Sequence, residues 1–219
     1  MRSVRWSLSG LALVALLPAV GAAQSGRNFK DSWFWGVKAG TLSFSTNGVR
    51  NVTAPLIGGE WLITRSRAAL YISLEQAFFN KRAILATFDG DLIDVGIKDM
   101  QRVSAAMLAF PGKQRSMGVL AGVRPYGGLG LALNFIRSAT VRDTIPGNSI
   151  TLVERTIENR KSAASLLGIL GAQAQYRRLS VFVQGTFMPT REFLLDERAT
   201  YSIEGGIRYN FGTSIDRPQ

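Results

Sequence analysis

Glu60 and Glu75 are the residues of this sequence whose types and spacing come closest to a catalytic pair. They fall on like faces of neighbouring predicted strands, where two carboxylates could act as acid and base. The sequence has no histidine and no cysteine. That excludes the usual catalytic triad, thiolate chemistry and the commonest metal ligand. Arginines on the same faces give the glutamates a simpler role as ion-pair partners, so we predict no catalytic residue, metal, cofactor or enzyme activity.

Two other motifs and the net charge could provide binding chemistry. Asp89, Asp91 and Asp94 resemble a loose cation site without the full calcium-loop pattern, so a solvated loop is the preferred interpretation. The glycine-rich segment 127–130 has no following helix or lysine to hold a phosphate. The formal charge of +11 suits nucleic acid, anionic lipid or an acidic polymer. An export signal argues against nucleic acid.

The first 23 residues have the three parts of a secretory signal. Arg2 and Arg5 precede an apolar run over residues 8–17, which is too short to span a bilayer as a helix. Small residues follow at 20–23, and we expect cleavage after Ala22 or Ala23. The alternatives are a short membrane anchor or a buried helix, and the run length favours a cleaved signal peptide over residues 1–23.

The rest of the chain alternates between apolar and polar residues with a period of two, which is the pattern of strands. In the last strand, Tyr201, Ile203, Ile207, Tyr209 and Phe211 share one face, while Glu204 and Arg208 lie on the other. The alternation predicts eight strands: Trp33–Ser45, Leu56–Thr64, Leu70–Phe79, Met100–Phe110, Leu129–Phe135, Ile169–Tyr176, Val181–Phe187 and Tyr201–Phe211. Most of these strands, with the residues that flank them, are long enough to cross a bilayer at a tilt.

The predicted connections alternate between long and short. Long connections are expected at residues 46–53, 80–99, 137–161 and 189–198, and short ones near 65–68, 111–118 and 177–179. This alternation is typical of outer-membrane barrels, whose short turns face the periplasm. An even strand number then leaves both termini in the periplasm. We expect a periplasmic lead at 24–31, the barrel at 32–211 and a short periplasmic tail at 212–219.

Two glycine-rich segments carry a family resemblance. They are Arg124-Pro125-Tyr126-Gly127-Gly128-Leu129-Gly130-Leu131 and Gly205-Gly206-Ile207-Arg208-Tyr209-Asn210-Phe211. With the signal and the strand spacing, they resemble the small OmpA/OmpX/OmpW-like outer-membrane barrels over roughly residues 30–211. The resemblance implies an all-β, eight-stranded, antiparallel up-and-down transmembrane barrel. It also implies that the barrel-insertion machinery reads an aromatic residue near Phe211.

Charged residues on the less apolar faces are expected to meet inside this barrel. An eight-stranded barrel has an interior just wide enough for side chains to fill it. Opposite charges there would pair and plug the lumen, because unpaired buried charges are costly. Alternatively, some of them lie at the barrel ends in solvent. The predicted lumen charge network is Lys38, Glu60, Glu75, Arg102, Arg124, Glu204 and Arg208.

Aromatic residues near strand ends predict a girdle at the membrane interface, where amphipathic rings meet lipid headgroups. Ordinary packing is the alternative. The predicted interface aromatics are Trp33, Trp35, Trp61, Tyr209 and Phe211. The expected partners are lipopolysaccharide, phospholipid and the insertion machinery, and the external ligand is unspecified.

Three functions are compatible with these features. The leading one is an outer-membrane barrel with a structural or surface-interaction role and a filled lumen. A narrow channel for small solutes or ions requires a gap through the charge network. A soluble periplasmic barrel of lipocalin-like shape requires the apolar faces to point inward, toward a ligand.

Overall fold

The chain forms an all-β structure. The computed structural model describes residues 31–46, 49–86, 92–111, 115–117, 120–141, 155, 157–158, 161–189 and 199–213. The strands are β1 Ser32–Thr46, β2 Val49–Arg65, β3 Ala68–Ala86, β4 Leu92–Ala109, β5 Arg115–Met117, β6 Leu120–Val141, β7 Ser162–Tyr176, β8 Leu179–Met188 and β9 Thr200–Thr213. The predicted signal peptide, residues 24–30 of the predicted lead and residues 214–219 of the tail lie outside the described residues.

Eight long strands close into a barrel. Each pairs antiparallel with its neighbours in the order β4-β3-β2-β1-β9-β8-β7-β6, and β4 also pairs with β6. The first and last strands meet through a register that includes Trp35 opposite Tyr209. The short strand β5 pairs only with β6, within the connection from β4. The predicted eight-stranded antiparallel barrel is confirmed. No helix among the described residues is long and apolar enough to cross a membrane.

The apolar faces of the strands point outward. Leu129 on β6 is 77% exposed and Leu170 on β7 is 74% exposed, while the polar residues Asn134 and Gln173 of the same two strands are buried. The period-two alternation places every second side chain on the outer surface, and these outer side chains form a band of bare hydrocarbon around the barrel. Such a surface is stable in lipid and not in water. The lipocalin-like alternative requires the apolar faces to point inward, so their outward direction excludes it.

Two of the predicted long connections are wrong, because strands run through them. β1 and β2 pair up to Thr46 and Val49, which leaves only residues 47–48 between them rather than 46–53. β3 and β4 pair up to Ala86 and Leu92, so most of segment 80–99 is a hairpin. The predicted strands cover only the length that crosses a bilayer, whereas the backbone pairing of these two hairpins continues beyond that length.

The two ends of the barrel differ. The near end carries Ser32, Thr213 and the tight turns at 66–67 and 177–178. The far end carries the extended hairpins of β1–β2 and β3–β4, and the interior there is filled by an apolar cluster. This far-end cluster is buried and comprises Leu42, Phe44, Val52, Ala54, Leu56, Ala77, Phe79, Ala83, Ile93, Val95, Ile97, Met100, Ile136 and Ile157. The cluster includes residues of β1 and of β6, two strands that stand opposite each other in the ring. It therefore crosses the lumen.

Candidate functional site

A group of four charged side chains occupies the middle of the lumen. Lys38 on β1 pairs with Glu75 on β3 and lies 2.7 Å from Glu204 on β9. Arg102 on β4 pairs with the same two glutamates, at 2.7 Å from Glu204. All four are buried. Each carboxylate therefore receives two cationic donors, the arrangement that compensates for loss of hydration in a buried site.

A second ion pair lies closer to the near end. Arg208 on β9 pairs with Glu60 on β2, and its Nη1 atom donates to Gln173 Oε1 on β7 at 2.6 Å. The guanidinium lies 3.8 Å from the centre of the Phe182 ring. The planar cation is therefore held by a carboxylate, an amide and an aromatic face together.

Several of these contacts join strands on opposite sides of the barrel. β4 and β9 are four strands apart in a ring of eight, whichever way the ring is followed, and Arg102 Nη2 reaches Glu204 Oε1 at 2.7 Å. β3 and β8 are also opposite, and Gln184 Nε2 donates to the hydroxyl of Tyr71 at 3.1 Å. Side chains from facing walls thus touch in the middle of the lumen, which leaves no straight open path at this level.

Glycines make room for the polar contacts between next-but-one strands. Gly36 lies opposite both Glu60 and Arg208, and a Cβ atom at Gly36 would be 3.0 Å from a side-chain carbon of each. Gly58 lies in the same way between Lys38 and Glu75. In each case two long side chains meet over the strand between them. The missing side chain therefore supplies the space for the ion pair.

A third glycine repeats this arrangement without charges. Gly171 lies opposite Tyr126 and Gln184, and the Tyr126 hydroxyl donates to Gln184 Oε1 at 2.9 Å. A Cβ atom at Gly171 would be 2.6 Å from the Tyr126 ring. Inward glycines are thus part of the site, since they fix which side chains can pair across the lumen.

Six of the seven predicted network residues lie in these two groups. The seventh, Arg124, is partly exposed near the start of β6, with its Cα opposite that of Gln173. The sequence interpretation missed five uncharged members, which are Ser73, Tyr126, Gln173, Gln184 and Ser202. The alternation does place these residues on the inner face, and that is the signal that could have identified them.

The opposite charges of this interior balance each other. Three cations, Lys38, Arg102 and Arg208, face three carboxylates, Glu60, Glu75 and Glu204, so the two groups together are neutral. Among the described side chains no group of three or more acidic residues is placed to hold a metal ion. The arrangement joins opposite walls of the barrel through ion pairs and hydrogen bonds.

Three tryptophans and two aromatic residues of β9 form a patch on the outer wall near the near end. The Trp35 and Trp61 rings stack with centres 5.5 Å apart, and Trp33 meets Trp61 edge-on at 5.3 Å. Tyr209 and Phe211 meet at 5.0 Å. Trp33, Trp35, Tyr209 and Phe211 are between 38% and 49% exposed, and Trp61 is partly buried beneath its neighbours.

A second set of exposed rings lies toward the far end, at Phe78, Phe135, Phe187 and Tyr201. Tyr201 and Phe211 are ten residues apart on β9. At about 3.3 Å per residue and a tilt of about 40°, they are separated by roughly 25 Å along the barrel axis. That is about the height of the apolar band of outer-membrane barrels. The spacing of the two aromatic sets along the barrel axis is therefore compatible with the predicted girdle at the membrane interface.

Tryptophan fluorescence should test the near-end girdle. The chain has four tryptophans, of which Trp6 lies in the predicted signal peptide and the other three in the patch. We expect lipids brominated near the headgroup to quench the mature protein more strongly than lipids brominated near the chain ends, because the rings lie at the interface. Replacing Trp35 and Trp61 by phenylalanine should remove most of the signal. Stronger quenching by the bromines near the chain ends would contradict the prediction that these rings lie at the membrane interface.

Solved structures with the same fold are membrane barrels. The chain is similar to Neisserial surface protein A (NspA), with a TM-score of 0.55 and 10% identity over 81% of this chain and 96% of that one. Matches with lower TM-scores are Ail, the attachment invasion locus protein of Yersinia pestis (0.47, 13% identity, 83% and 99% covered), and the N-terminal β-barrel domain of Pseudomonas aeruginosa OprF (0.44, 12% identity, 83% and 98% covered). No family model and no curated protein matches the sequence. At such identities the likeness establishes the fold alone, that of the small eight-stranded outer-membrane barrels.

Proposed function

We propose that this protein spans the bacterial outer membrane as a closed barrel and acts through its far end, as a structural or surface-interaction protein, without conducting solutes. The observation that carries the proposal is the set of contacts between opposite walls, above all Arg102 with Glu204. A conducting barrel of this size would need its lumen clear along the whole axis. Here a charged layer is followed by the apolar far-end cluster, so two barriers of different chemistry lie in series.

The proposed orientation puts the near end in the periplasm. Tight turns join β2 to β3 and β7 to β8 at that end, and short turns are periplasmic in this class of barrel. Both termini would then lie in the periplasm, and the extended hairpins would face outward. The aromatic residues at the end of β9 would be available to the insertion machinery during assembly. A protease added to intact cells should cut the far-end connections and leave the near-end turns intact.

A second candidate function is a narrow channel, which is favoured by polar atoms without partners. Glu60 Oε2 and Gln173 Nε2 are buried and have no hydrogen-bond partner among the residues that the structure describes. Buried polar atoms of this kind usually contact water, so water in the near half of the lumen would satisfy both. The far-end cluster argues against passage, since water that reached Arg208 would still meet an apolar barrier.

Conductance in planar bilayers separates the two functions. We expect the purified protein to give no steady current at moderate voltage. A variant with Leu42, Phe44 and Ile97 replaced by alanine loosens the apolar barrier, and one with Arg102 and Glu204 replaced by alanine removes charges from the polar one. We expect steady current only when the two sets are combined, because the barriers are in series. A steady open current through the unmodified protein would overturn the closed-barrel proposal.

A further inference from the structure

Two arginines form the tight turn between β7 and β8, at the near end of the barrel. Arg177 has a positive φ of 54°, a conformation for which such turns favour glycine or asparagine. Gln175 Nε2 donates a hydrogen bond to the carbonyl oxygen of Arg177 at 2.9 Å, and the backbone N–H of Asn210 donates to that of Arg178 at 2.7 Å. These bonds hold the turn in place. An arginine adopts this backbone conformation at a cost, which is typical of residues whose side chains have a function.

Both guanidinium groups are held against tyrosines of the outer wall. The guanidinium carbon of Arg177 lies 5.4 Å from the centre of the Tyr176 ring, and Arg178 Nη1 donates to the hydroxyl of Tyr209 at 3.3 Å. Tyr176 on β7 and Tyr209 on β9 both lie opposite Leu179 on β8, so the three exposed residues form one row across neighbouring strands. The two cations are therefore anchored together on this row.

The charge of the turn is not offset by acidic residues of the described near end. Neither arginine forms an ion pair with an acidic residue among the described residues. Glu60 is paired with Arg208 inside the lumen, and Asp31 is buried beside the start of β1, two strands away from β8. The other described acids lie in the lumen or toward the far end. The turn therefore presents two positive charges.

The outer wall next to the turn has a relief that fits an acyl chain. Leu179, Val181 and Val183 are exposed and follow one another along the outer face of β8. Ala174 and Ala172 on β7 lie opposite Val181 and Val183, so small side chains flank a ridge of larger ones. This shallow groove runs from the arginines toward the middle of the wall.

The arginines lie at the height expected for lipid phosphates. Tyr209 belongs to the predicted interface girdle, and Tyr176 lies in the same row. Tyrosines of such a girdle are at the level of the headgroups, with their hydroxyls on the polar side. The turn follows Tyr176 in the chain, so its two cations lie on that polar side of the row.

We propose that Arg177 and Arg178, together with Tyr176 and Tyr209, form a binding site for an anionic phospholipid. The lipid phosphate accepts hydrogen bonds from the two guanidinium groups, whose planar donors match phosphate oxygens, and an acyl chain lies in the groove beside β8. A free anion gains the charge contacts alone. The site rests on the membrane span proposed above, and its place in the periplasmic leaflet rests on the proposed orientation.

Titration with phosphatidylglycerol tests this site. The protein is held in maltoside micelles, which are uncharged and contain no phosphate, and binding is followed by the backbone amide NMR signals of Tyr176 and Leu179. The turn variant carries Arg177→Gln and Arg178→Gln. Inorganic phosphate is titrated in parallel as an anion without acyl chains. Unchanged circular dichroism and gel mobility establish that each variant folds.

The tight turn between β2 and β3 supplies a matched control. It also has two residues, between the paired Arg65 and Ala68, and Ser66 has a φ of 55° where the other turn has Arg177. Its exposed Arg65 and Arg67 make no cation–π contact and no ion pair within the described part of the chain. The variant with Arg65→Gln and Arg67→Gln therefore removes the same charge from the same end, on the opposite side of the barrel.

We expect the turn variant to bind phosphatidylglycerol about tenfold more weakly or worse, since each cation near a lipid surface contributes roughly a fivefold factor. The control should stay within about twofold of the parent, because salt screens its charges from the site. An equal loss in both variants, or no loss in the turn variant, would overturn the site. So would equally tight binding of inorganic phosphate, which would indicate a free-anion site. Micelles have no sidedness and carry no current, so a wrong orientation or an open lumen would leave this result unchanged.

Discussion

Replacing Arg102 by methionine is expected to destabilise the folded barrel by about 3–5 kcal/mol. Arg102 is buried and is shared by Glu75 and Glu204. Its loss leaves two carboxylates in the lumen, and Lys38 is then the one cation in contact with them among the described residues. Removing one partner of a buried ion pair costs more than the pair contributes, because the remaining charge stays unhydrated. Equilibrium unfolding in denaturant from lipid vesicles measures the free energy of unfolding, and gel mobility reports the folded fraction.

A second substitution separates charge from packing in this test. Adding Glu204→Gln to Arg102→Met leaves Lys38 and Glu75 as a balanced pair and keeps an amide that can accept from Gln184. We expect the double variant to recover at least half of the lost free energy, a coupling that a double-mutant cycle reads directly. If the double variant were as unstable as Arg102→Met, lost packing rather than unpaired charge would explain the effect.

The direction of each strand face could be predicted from the sequence, because a side-chain period of two leaves only two choices and the apolar residues decide between them. In β9, Ile203 and Ile207 point outward, while Glu204 and Arg208 are buried, as the alternation predicts. Contacts across the lumen depend on something further. Arg102 meets Glu204, 102 residues away in sequence, only because their two strands stand opposite each other and place the two residues at one height. Alternation within one strand carries no information about that height.

The β4 half of the far-end hairpin does not follow the alternation of the barrel wall. Val95 and Ile97 are buried at odd positions, whereas Met100 and Arg102 are buried at even positions, and the change occurs where the register shifts and Asp99 has a positive φ of 53°. A bulge of this kind reverses the face on which the following residues lie. If the alternation of Met100–Phe110 is continued backwards, the β4 half of segment 80–99 looks like a polar loop. Read alone, it shows the period of a strand.

The role of the inward glycines could not be read from composition. A high glycine content suits tight turns as well as close packing, and no residue count separates the two. Gly36, Gly58 and Gly171 take their meaning from the residues opposite them on both neighbouring strands. That information exists only once the register is fixed, so the ion pairs and the glycines beneath them are properties of the assembled sheet.

Replacing Gly40 by alanine is expected to give one of the largest effects of any single methyl group added to this wall. A Cβ atom at Gly40 would be 2.1 Å from the carbonyl oxygen of Ile203 and 2.8 Å from Cα of Glu204. Both are backbone atoms, so β1 and β9 would have to move apart at the seam that closes the barrel. We expect a loss of about 3 kcal/mol in the free energy of unfolding, the upper part of the range for added buried volume. Denaturant unfolding in vesicles measures it.

Gly59→Ala is the matched control, since it adds the same methyl group on the adjacent strand β2. Its nearest contact would be the carbonyl oxygen of Gly36 at 3.8 Å, an ordinary van der Waals distance. Alanine there also restricts the unfolded chain, so we expect a change between zero and a gain of about 1 kcal/mol in stability. Equal stability of Gly40→Ala and Gly59→Ala would mean that the seam can widen at little cost. The wall that carries Glu204 would then be able to move away from Arg102. The ion pair between them would not hold the lumen closed.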